Sequence, residues 1–562
     1  MHGLMMDIPL LISSLIRHAD REHGDTEIVS RTIEGPIHRY TYRDAHRRSR
    51  QLANALTALG VKPGDRIATL AWNGYRHFEL FYAVSGMGAV CHTVNPRLFP
   101  EQIVYILNHA EDSYVFLDLT FIPLLEKIAA SLTCARGFVI MTDRAHLPPT
   151  TLLNVACYED LLDAASDKFN WPEFDERTAS SLCYTSGTTG LPKGVLYTHR
   201  STVLHCYGYA LPDSGDLSAR DVMLLATPMF HVNGWGVPYS CAMTGAKLVL
   251  PGSALDGASL YQLFEQEEVT ATVGVPTLWL SVLDYFKRNS LKPSSLRRVL
   301  IGGSACPPAL INAFEEDFGV EVFHGWGMTE TSPLATCGAF KRKHDGLPRA
   351  RRRALQAKQG RLLFGVDMKI VDDAGNELPR DGNAFGNLWV RGPWICRQYF
   401  KEEGGEALSG GWFSTGDVAT IDAEGYMQIT DRSKDIIKLG GEWISSILLE
   451  SAAVDHPAVA EAAVIGVPHP KWIERPLLLV IRKSGAEVTG EEIRGFLAAR
   501  VAKWWLPDDV VFVESLPRTA TGKLLKIKLR EDYRDHLLTD CSLPSHLEES
   551  APPESTDEHR EP

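Results

Sequence analysis

From Tyr40 to about Leu250, stretches of amphipathic helical period such as 42–59 alternate with short apolar runs such as 66–70 and 113–117. The alternation continues through 271–275 and 299–301, each run stopping at Gly, Pro or Ser, where strands of open sheets carry ligand-binding loops. This predicts an α/β fold with several loops gathered at one edge. Beyond Phe364 the texture turns β-rich: MKIVDDAGNELP, GNLWVRGP and ATIDAEGYMQIT join strand-like runs through Asp, Gly and Asn, and this subdomain ends near Thr430. A compact unit of about 100 residues follows, with helices expected at 446–454 and 491–501 and strands at 459–465, 477–481 and 509–513. The expected architecture is α/β: a large N-terminal body of α/β subdomains plus a β-rich subdomain over 1–431, then a small α+β domain over 432–535. Residues 536–562 read as a disordered acidic tail, since 541–562 hold six acids and one Arg.

With 562 residues the chain exceeds what one core serves, at about 150 residues per domain. Hydrophobic residues at 44% and charged residues at 23% are globular values. The net charge of −13 argues against nucleic acid as the main partner, although local basic sites remain open. Ten cysteines form no CxxC pair and no close Cys/His cluster, so they read as reduced thiols, many in the core. The opening MHGLMMDIPLLISSLIRHAD is interrupted by Asp7 and Pro9, lacks a basic leader region and reads as a short amphipathic helix. No apolar stretch there approaches the roughly 20 residues of a membrane span. HREP at the end is no retrieval signal, and a cytoplasmic location is expected.

The strongest chemical signal is YTSGTTGLPKG, Tyr184 to Gly194, set between the apolar run 181–183 and the strand-like VLYT. Backbone amides of a Gly/Ser/Thr loop, the hydroxyls of Thr185, Ser186, Thr188 and Thr189, and the ammonium of Lys193 suit the oxygens of a polyphosphate. Gly187 and Gly190 belong to the same loop. The residue order is not Walker A, so an ordinary P-loop NTPase is not implied. A second charged feature, 341–361, sets nine Lys/Arg against one acid. It reads first as a solvated basic loop and second as a surface attracting a polyanionic cosubstrate.

The Gly-rich stretch resembles the signature of the AMP-forming adenylate synthetases, which include acyl-CoA synthetases, peptide-synthetase adenylation domains and luciferases. The likeness runs from about residue 10 to 535, with further motifs in the family's order: ATPMFHVNGWG (226–236), IGGSACPP (301–308), HGWGMTET (324–331), GWFSTGD (411–417), ITDRSKDIIKLGGEWIS (429–445) and PRTATGKLLK (517–526). In HGWGMTET the resemblance implies that His324 belongs to the cofactor site and that Trp326 stacks on adenine, with Gly325 and Gly327 allowing close approach. Gly302, Gly303 and Ser304 resemble the opposite wall of the adenine slot, and Thr329 is placed to bond the α-phosphate. Glu330, with Thr185, is the implied Mg²⁺ ligand. The resemblance further implies that Asp417 accepts the ribose hydroxyls with help from Arg432 and that His231, Trp235 and Gly302 line the acid site, with Pro333 and Glu474 as weaker candidates. Lys523 resembles the lysine that neutralises charge as the carboxylate attacks the α-phosphorus. Lys434 matches the hinge of a mobile C-terminal lid, and Lys438, Gly440, Gly441, Glu442 and Trp443 match the face meeting AMP and the pantetheine arm.

The implied reaction joins an acid to CoA with ATP and Mg²⁺, through an acyl-adenylate, giving acyl-CoA, AMP and diphosphate. PMFHVNGWG, KQGRLLFGVDMKIVD and AKWWLPD (502–508) resemble the fatty-acyl-CoA ligase branch, which includes medium-chain fatty-acid ligases and 3-methylmercaptopropionate–CoA ligases. The implied acid is therefore a short- or medium-chain fatty acid or 3-(methylthio)propanoate. Trp235 stands where deep acyl tunnels carry small residues, and reads either as a shortener of the pocket or as core packing. Two alternatives stay open: a stand-alone adenylating enzyme with another acyl acceptor, and a nucleotide-binding regulatory protein without catalysis. Relatives commonly form homodimers, and one is expected here.

Overall fold

The computed structural model describes every residue except 2, 186–190, 403–407, 440–441, 470–473, 519–523 and 539–562. Its chain separates into two compact units: Met1–Lys369 with Trp389–Ser414 and Asp422–Gln428, and Ile370–Leu388 with Thr415–Ile421 and Ile429–Pro562. The second unit thus gathers two short segments of the β-rich region as well as the C-terminal part.

Sixteen strands build the first unit's two large sheets. In chain order they are β1 (Glu27–Arg31), β2 (Ile37–Thr41), β3 (Arg66–Leu70), β4 (Val90–Thr93), β5 (Asp112–Leu117), β6 (Gly137–Ile140), β7 (Val155–Cys157) and β8 (Ala179–Tyr184). There follow β9 (Gly194–Thr198), β10 (Val222–Leu225), β11 (Lys247–Leu250), β12 (Ala271–Gly274), β13 (Arg298–Ile301), β14 (Glu321–Gly327), β15 (Leu334–Cys337) and β16 (Arg361–Leu362). The seven-stranded sheet runs β7-β6-β5-β3-β4-β8-β9 and the nine-stranded sheet β16-β15-β14-β13-β12-β10-β11-β1-β2. β3 pairs in parallel with both β4 and β5, and β10 with both β11 and β12. In each sheet, then, the chain steps to one side and returns to build on the other. That reversal opens a crevice beyond the carboxyl ends of the central strands, where open α/β sheets bind ligands.

The apolar runs expected as strands are strands, and they are buried along their length because helices cover both faces. The stretch 42–59 forms the helix Tyr42–Ala58, started by a Thr41–Asp44 capping box. The N-terminal helix begins at Ile12, beyond Asp7 and Pro9. On one face of the nine-stranded sheet, Leu224, Val249, Val299, Ile301 and Val322 pack with Leu263, Trp279, Phe286 and Phe314 from the covering helices. Among the nine described cysteines seven are buried, with Cys134 exposed and Cys396 intermediate. Among the described residues no helix is long and apolar enough to cross a membrane.

Five further strands, β17 (Asp367–Val371), β18 (Phe385–Arg391), β19 (Leu408–Ser409), β20 (Trp412–Ile421) and β21 (Met427–Arg432), form a third sheet whose residues are divided between the units. After β22 (Ile437–Leu439) and β23 (Glu442–Ile444), the second unit adds β24 (Val459–Pro468), β25 (Glu474–Arg482) and β26 (Asp509–Phe512) as a three-stranded sheet. Period-two alternation gives that sheet two cores. Val464, Leu478, Val480 and Val510 face the helices Ser446–Val454 and Gly490–Ala498, while Ala463, Ile465, Leu477 and Leu479 meet Leu516 and Leu529. The helix expected over 491–501 ends at Ala498.

Much of the charge of the basic segment 341–361 is paired within the first unit, while Lys343 and Arg349 stay more than half exposed. Lys341 and Lys343 pair with Glu424, Arg349 with Glu316, Arg353 with Glu315, Lys358 with Asp422 and Arg361 with Asp213. Arg352 lies over the Phe340 ring. Its acidic partners come from elsewhere in the chain, so composition within the segment could not show them.

Candidate active site

The Gly-rich stretch is the loop of a hairpin between β8 and β9, which pair antiparallel next to β4. Its base is pinched by Thr185: the Thr185 N–H donates to the Lys193 carbonyl at 2.9 Å, and the Lys193 N–H donates to Thr185 Oγ1 at 3.2 Å. Ser186, Gly187, Thr188, Thr189 and Gly190 lie outside the described residues. Lys193 Nζ stands 4.7 Å above the Tyr399 ring and 3.2 Å from Glu402 Oε2. Both partners of that ion pair are nearly half exposed, so a phosphate can displace the carboxylate at little cost.

β14 carries HGWGMT to the carboxyl edge, and Glu330 follows it, 4% exposed. Tyr399 donates its hydroxyl to Glu330 Oε1 at 2.7 Å, and the Cys396 N–H binds the Glu330 carbonyl at 2.7 Å. Burial, with the Glu330 charge beside it, pushes the Tyr399 phenol well above its ordinary value, which keeps it a donor. Tyr197 fixes the neighbouring turn by donating to the Thr329 carbonyl at 2.6 Å. A buried carboxylate is a hard oxygen donor of the kind Mg²⁺ takes. Among the described residues no group of three or more His, Cys, Asp or Glu could hold a metal alone, so a cation at Glu330 would draw its other ligands from nucleotide and water.

Gly325 and Gly327 do permit close approach, but of the protein's own chain. A Cβ at Gly327 would lie 2.0 Å from the Pro333 oxygen, and one at Gly325 would lie 2.9 Å from Leu334 Cδ1. Pro333 is therefore buried against β14. His324 spends both ring nitrogens on backbone: Nε2 accepts from the Cys306 N–H at 3.3 Å, and Nδ1 lies 3.3 Å from the Gln356 carbonyl. Burial lowers its pKa to about 4, which makes it a neutral brace for the 302–306 turn. That turn exposes Gly303, Ser304 and Ala305, with Gly303 at φ +84°, while Trp326 is 8% exposed.

His231 opens the most unusual backbone of the unit. Val232, Asn233, Gly234, Trp235 and Gly236 all have φ between +48° and +74°, one left-handed turn at the β10/β12 reversal. Such a turn costs about 1–2 kcal/mol for each residue with a Cβ, and Val is among the least suited. It is held from the other sheet. Asn233 donates to Ser181 Oγ at 2.9 Å and accepts from Cys183 Sγ at 3.5 Å. Asn73, in the loop after β3, donates to the carbonyls of Leu225 and Thr227 and accepts from the Met229 N–H, at 2.7–2.8 Å. The outcome is a Trp235 ring laid on the next loop: a Cβ at Gly302 would sit 3.3 Å from Trp235 Cη2. The equivalent reversal at β3/β5 is closed differently, by Asp118 accepting the Trp72 N–H at 2.7 Å, burial having pushed that carboxyl up to about 7.

In the second unit Asp417 is 2% exposed and pairs with Arg432, Nε to Oδ1 at 2.8 Å. The Asp417 N–H bonds Thr415 Oγ1. Lys434 lies in the turn after Arg432, whose carbonyl accepts from Asp435 and Ile436; burial lowers the Lys434 pKa. Just before it, Asp431 accepts from the Ser446 N–H and hydroxyl, and Lys526 reaches Ser446 Oγ and Glu450. Lys438, Glu442 and Trp443 lie on the β22–β23 hairpin, their side chains outside the description, as are Gly440, Gly441 and Lys523 altogether. Glu474 opens β25 opposite Pro468, and its Oε2 lies 2.8 Å from where a Gly466 Cβ would be.

Residue-by-residue reading missed Tyr399, Tyr197, Asn73 and Glu402. Each acts across more than 60 residues of sequence; Asn73 in AWNGY, a polar residue at the close of an apolar run, was the one visible signal.

A phosphate-suited loop and a buried carboxylate at the carboxyl edges of doubly wound sheets are the marks of a nucleotide-handling α/β enzyme. The pattern of the AMP-binding enzyme family matches residues 15–400, and that of the AMP-binding enzyme C-terminal domain matches 448–523. The chain belongs to this family, as an adenylate-forming acyl-CoA synthetase. It is 53% identical over 96% of its length to the 3-methylmercaptopropionyl-CoA ligase of Ruegeria lacuscaerulensis, covering 100% of that protein. It is 52% identical over 96% of its length to a medium-chain-fatty-acid–CoA ligase of Ectopseudomonas oleovorans, covering 99% of it. Among solved structures, an anthranilate CoA ligase in complex with anthranoyl-AMP superposes with a TM-score of 0.82 at 27% identity, over 94% of this chain and 98% of that one.

Proposed function

We propose that the protein joins a short- or medium-chain fatty acid, or 3-(methylthio)propanoate, to CoA. The acid attacks the α-phosphorus of MgATP, releasing diphosphate; the CoA thiol then attacks the acyl-adenylate carbonyl, releasing AMP. The observation that carries this reading is the buried Glu330 carboxylate, held by Tyr399 whose ring lies under Lys193. It combines a hard-cation ligand and a phosphate-suited cation on one aromatic side chain. When bound, Mg²⁺ supplies charge neutralisation for the phosphates.

In this account the 185–193 loop and Lys193 hold the phosphates, and Thr185 and Glu330 hold the cation. The Gly302–Ser304 turn, braced by His324, faces one side of the adenine and Trp326 the other, with Thr329 on the α-phosphate. Asp417 takes the ribose hydroxyls with Arg432. His231, Trp235, Gly302 and Pro333 enclose the acid. Lys523 neutralises the charge of the first transition state, and rotation of a 432–535 lid about Lys434 brings Lys438, Gly440, Gly441, Glu442 and Trp443 to the pantetheine arm. The close relatives' names support the choice of acid. The same reading expects a cytoplasmic homodimer.

The test is diphosphate release, then thioester formation on adding CoA, for acetate, propionate, methylmercaptopropionate and the C4 to C12 fatty acids, with wild type and Trp235→Gly. The expected wild-type optimum lies between propionate and C8, and Trp235→Gly moves it at least two carbons longer. An unchanged optimum in the variant defeats Trp235 as the limit of the pocket; no acid-dependent release from any acid defeats the whole reading.

A further inference from the structure

Glu330 and the hairpin that carries Lys193 come from different sheets: β14 leads into the turn bearing Glu330, and β8 and β9 bear the hairpin. The segment 396–402 touches both. At its start the Cys396 N–H donates to the Glu330 carbonyl at 2.7 Å, and three residues on Tyr399 donates its hydroxyl to Glu330 Oε1 at 2.7 Å. The next residue turns to the hairpin. The Phe400 N–H donates to the Gly194 carbonyl at 2.7 Å, and a Cβ at Gly194 would lie 3.1 Å from both Phe400 Cβ and Tyr184 Cζ. The Tyr399 ring lies under Lys193 Nζ, 4.7 Å away. All these partners belong to the first unit.

The far end of the segment is anchored. Lys401 has a left-handed backbone, φ +61°, which a residue with a Cβ keeps only where its surroundings impose it. Its Nζ donates to the His109 carbonyl at 2.8 Å and pairs with Glu111 Oε1 at 2.7 Å, at the end of the helix Pro100–Ala110. That helix end also reaches the start of the hairpin, because His109 Nδ1 lies 2.6 Å from the Tyr184 hydroxyl. Segment and hairpin thus share one anchor. Backbone hydrogen bonds to two separate sheets, a common anchor and an imposed conformation make 396–402 a strap of fixed length.

We propose that this strap sets the spacing between the cation-holding carboxylate and the phosphate-holding hairpin, and that Tyr399 is a positioning residue for the cation, acting through Glu330. The proposal rests on the reading of Glu330 as the Mg²⁺ ligand. A divalent cation and a lysine that act on one triphosphate must agree in position to within about 0.5 Å, and here their holders start from two sheets. A hydrogen bond from behind a ligating carboxylate orients it, and loss of such a bond lowers metal affinity about 10–100-fold. Tyr399→Phe removes that bond alone, since the ring under Lys193 and its edge contact with Phe413 at 6.2 Å are kept.

The experiment measures the Kd of α,β-methylene-ATP, which cannot release diphosphate, in EDTA and in saturating Mg²⁺, for wild type and Tyr399→Phe. The nucleotide's own affinity for Mg²⁺ is common to both proteins, so a change in the ratio of the two Kd values belongs to the protein site. The ratio of the EDTA value to the Mg²⁺ value should fall at least tenfold in the variant, with the EDTA value within twofold of wild type. Should Tyr399→Phe fail to fold, Lys401→Met, at the part-exposed anchor, carries the prediction with at least a threefold fall in the same ratio. An unchanged ratio, even with both Kd values raised together, overturns the positioning role. No tightening by Mg²⁺ in wild type overturns the reading of Glu330 as the cation ligand instead.

Discussion

His324 braces the 302–306 turn from within a family motif. Its ring holds the Cys306 amide and faces the Gln356 carbonyl, and its pKa of about 4 keeps it neutral. His77 and His199 are likewise lowered to about 4 and His205 to about 3, all by burial. Unfolded histidine protonates near 6.5. Between 6.5 and 4 the unfolded chain thus binds more protons, so stability is full above pH 6.5 and is lost as pH falls through that window, by up to about 3 kcal/mol for each such ring. Thermal unfolding from pH 7 to 4.5 should show this decline, and His324→Gln, whose amide can both accept and donate, should shallow it while changing pH 7 stability by less than about 1 kcal/mol. Equal slopes for variant and wild type would remove His324 from the account. What the sequence disclosed at this scale was residue type and neighbourhood. Tyr399 and Glu330 are 69 positions apart, and no local pattern joins them.

At the scale of elements, the left-handed turn 232–236 is where local preference loses to tertiary structure. No propensity places Val232 at φ +48°; the turn exists because Asn233 and Asn73 tie it to the seven-stranded sheet. Asn233→Ala removes the bonds to Ser181 and Cys183. It should cost about 1–3 kcal/mol of stability and raise KM for the acid while KM for ATP stays within twofold. Parallel rises in both KM values would mean that the turn serves the fold and not the acid site. Strands and helices themselves were legible, because burial on both faces leaves uninterrupted apolar runs such as 299–301. Strand order was not: the reversals at β3/β5 and β10/β12 are set by non-local pairing that periodicity does not encode.

For the molecule as a whole, motif order announced the chemistry more fully than composition did. A net charge of −13 coexists with Lys193 and Arg432, which the proposed function sets on phosphate and ribose, and six of the nine basic residues of 341–361 pair with acids from elsewhere in the chain. The two compact units follow packing, whereas the proposed lid follows movement about Lys434. That movement implies that one reaction is divided between two arrangements of the same chain, with Lys523 serving only the first. The direct test is Lys523→Ala assayed in separate halves: acid-dependent diphosphate release from ATP, and thioester formation from supplied acyl-adenylate and CoA. Adenylation should fall at least about 100-fold, as for loss of a charge that acts at the transition state. Thioester formation should stay within about threefold of wild type. A comparable loss in both halves, or in neither, would contradict the account.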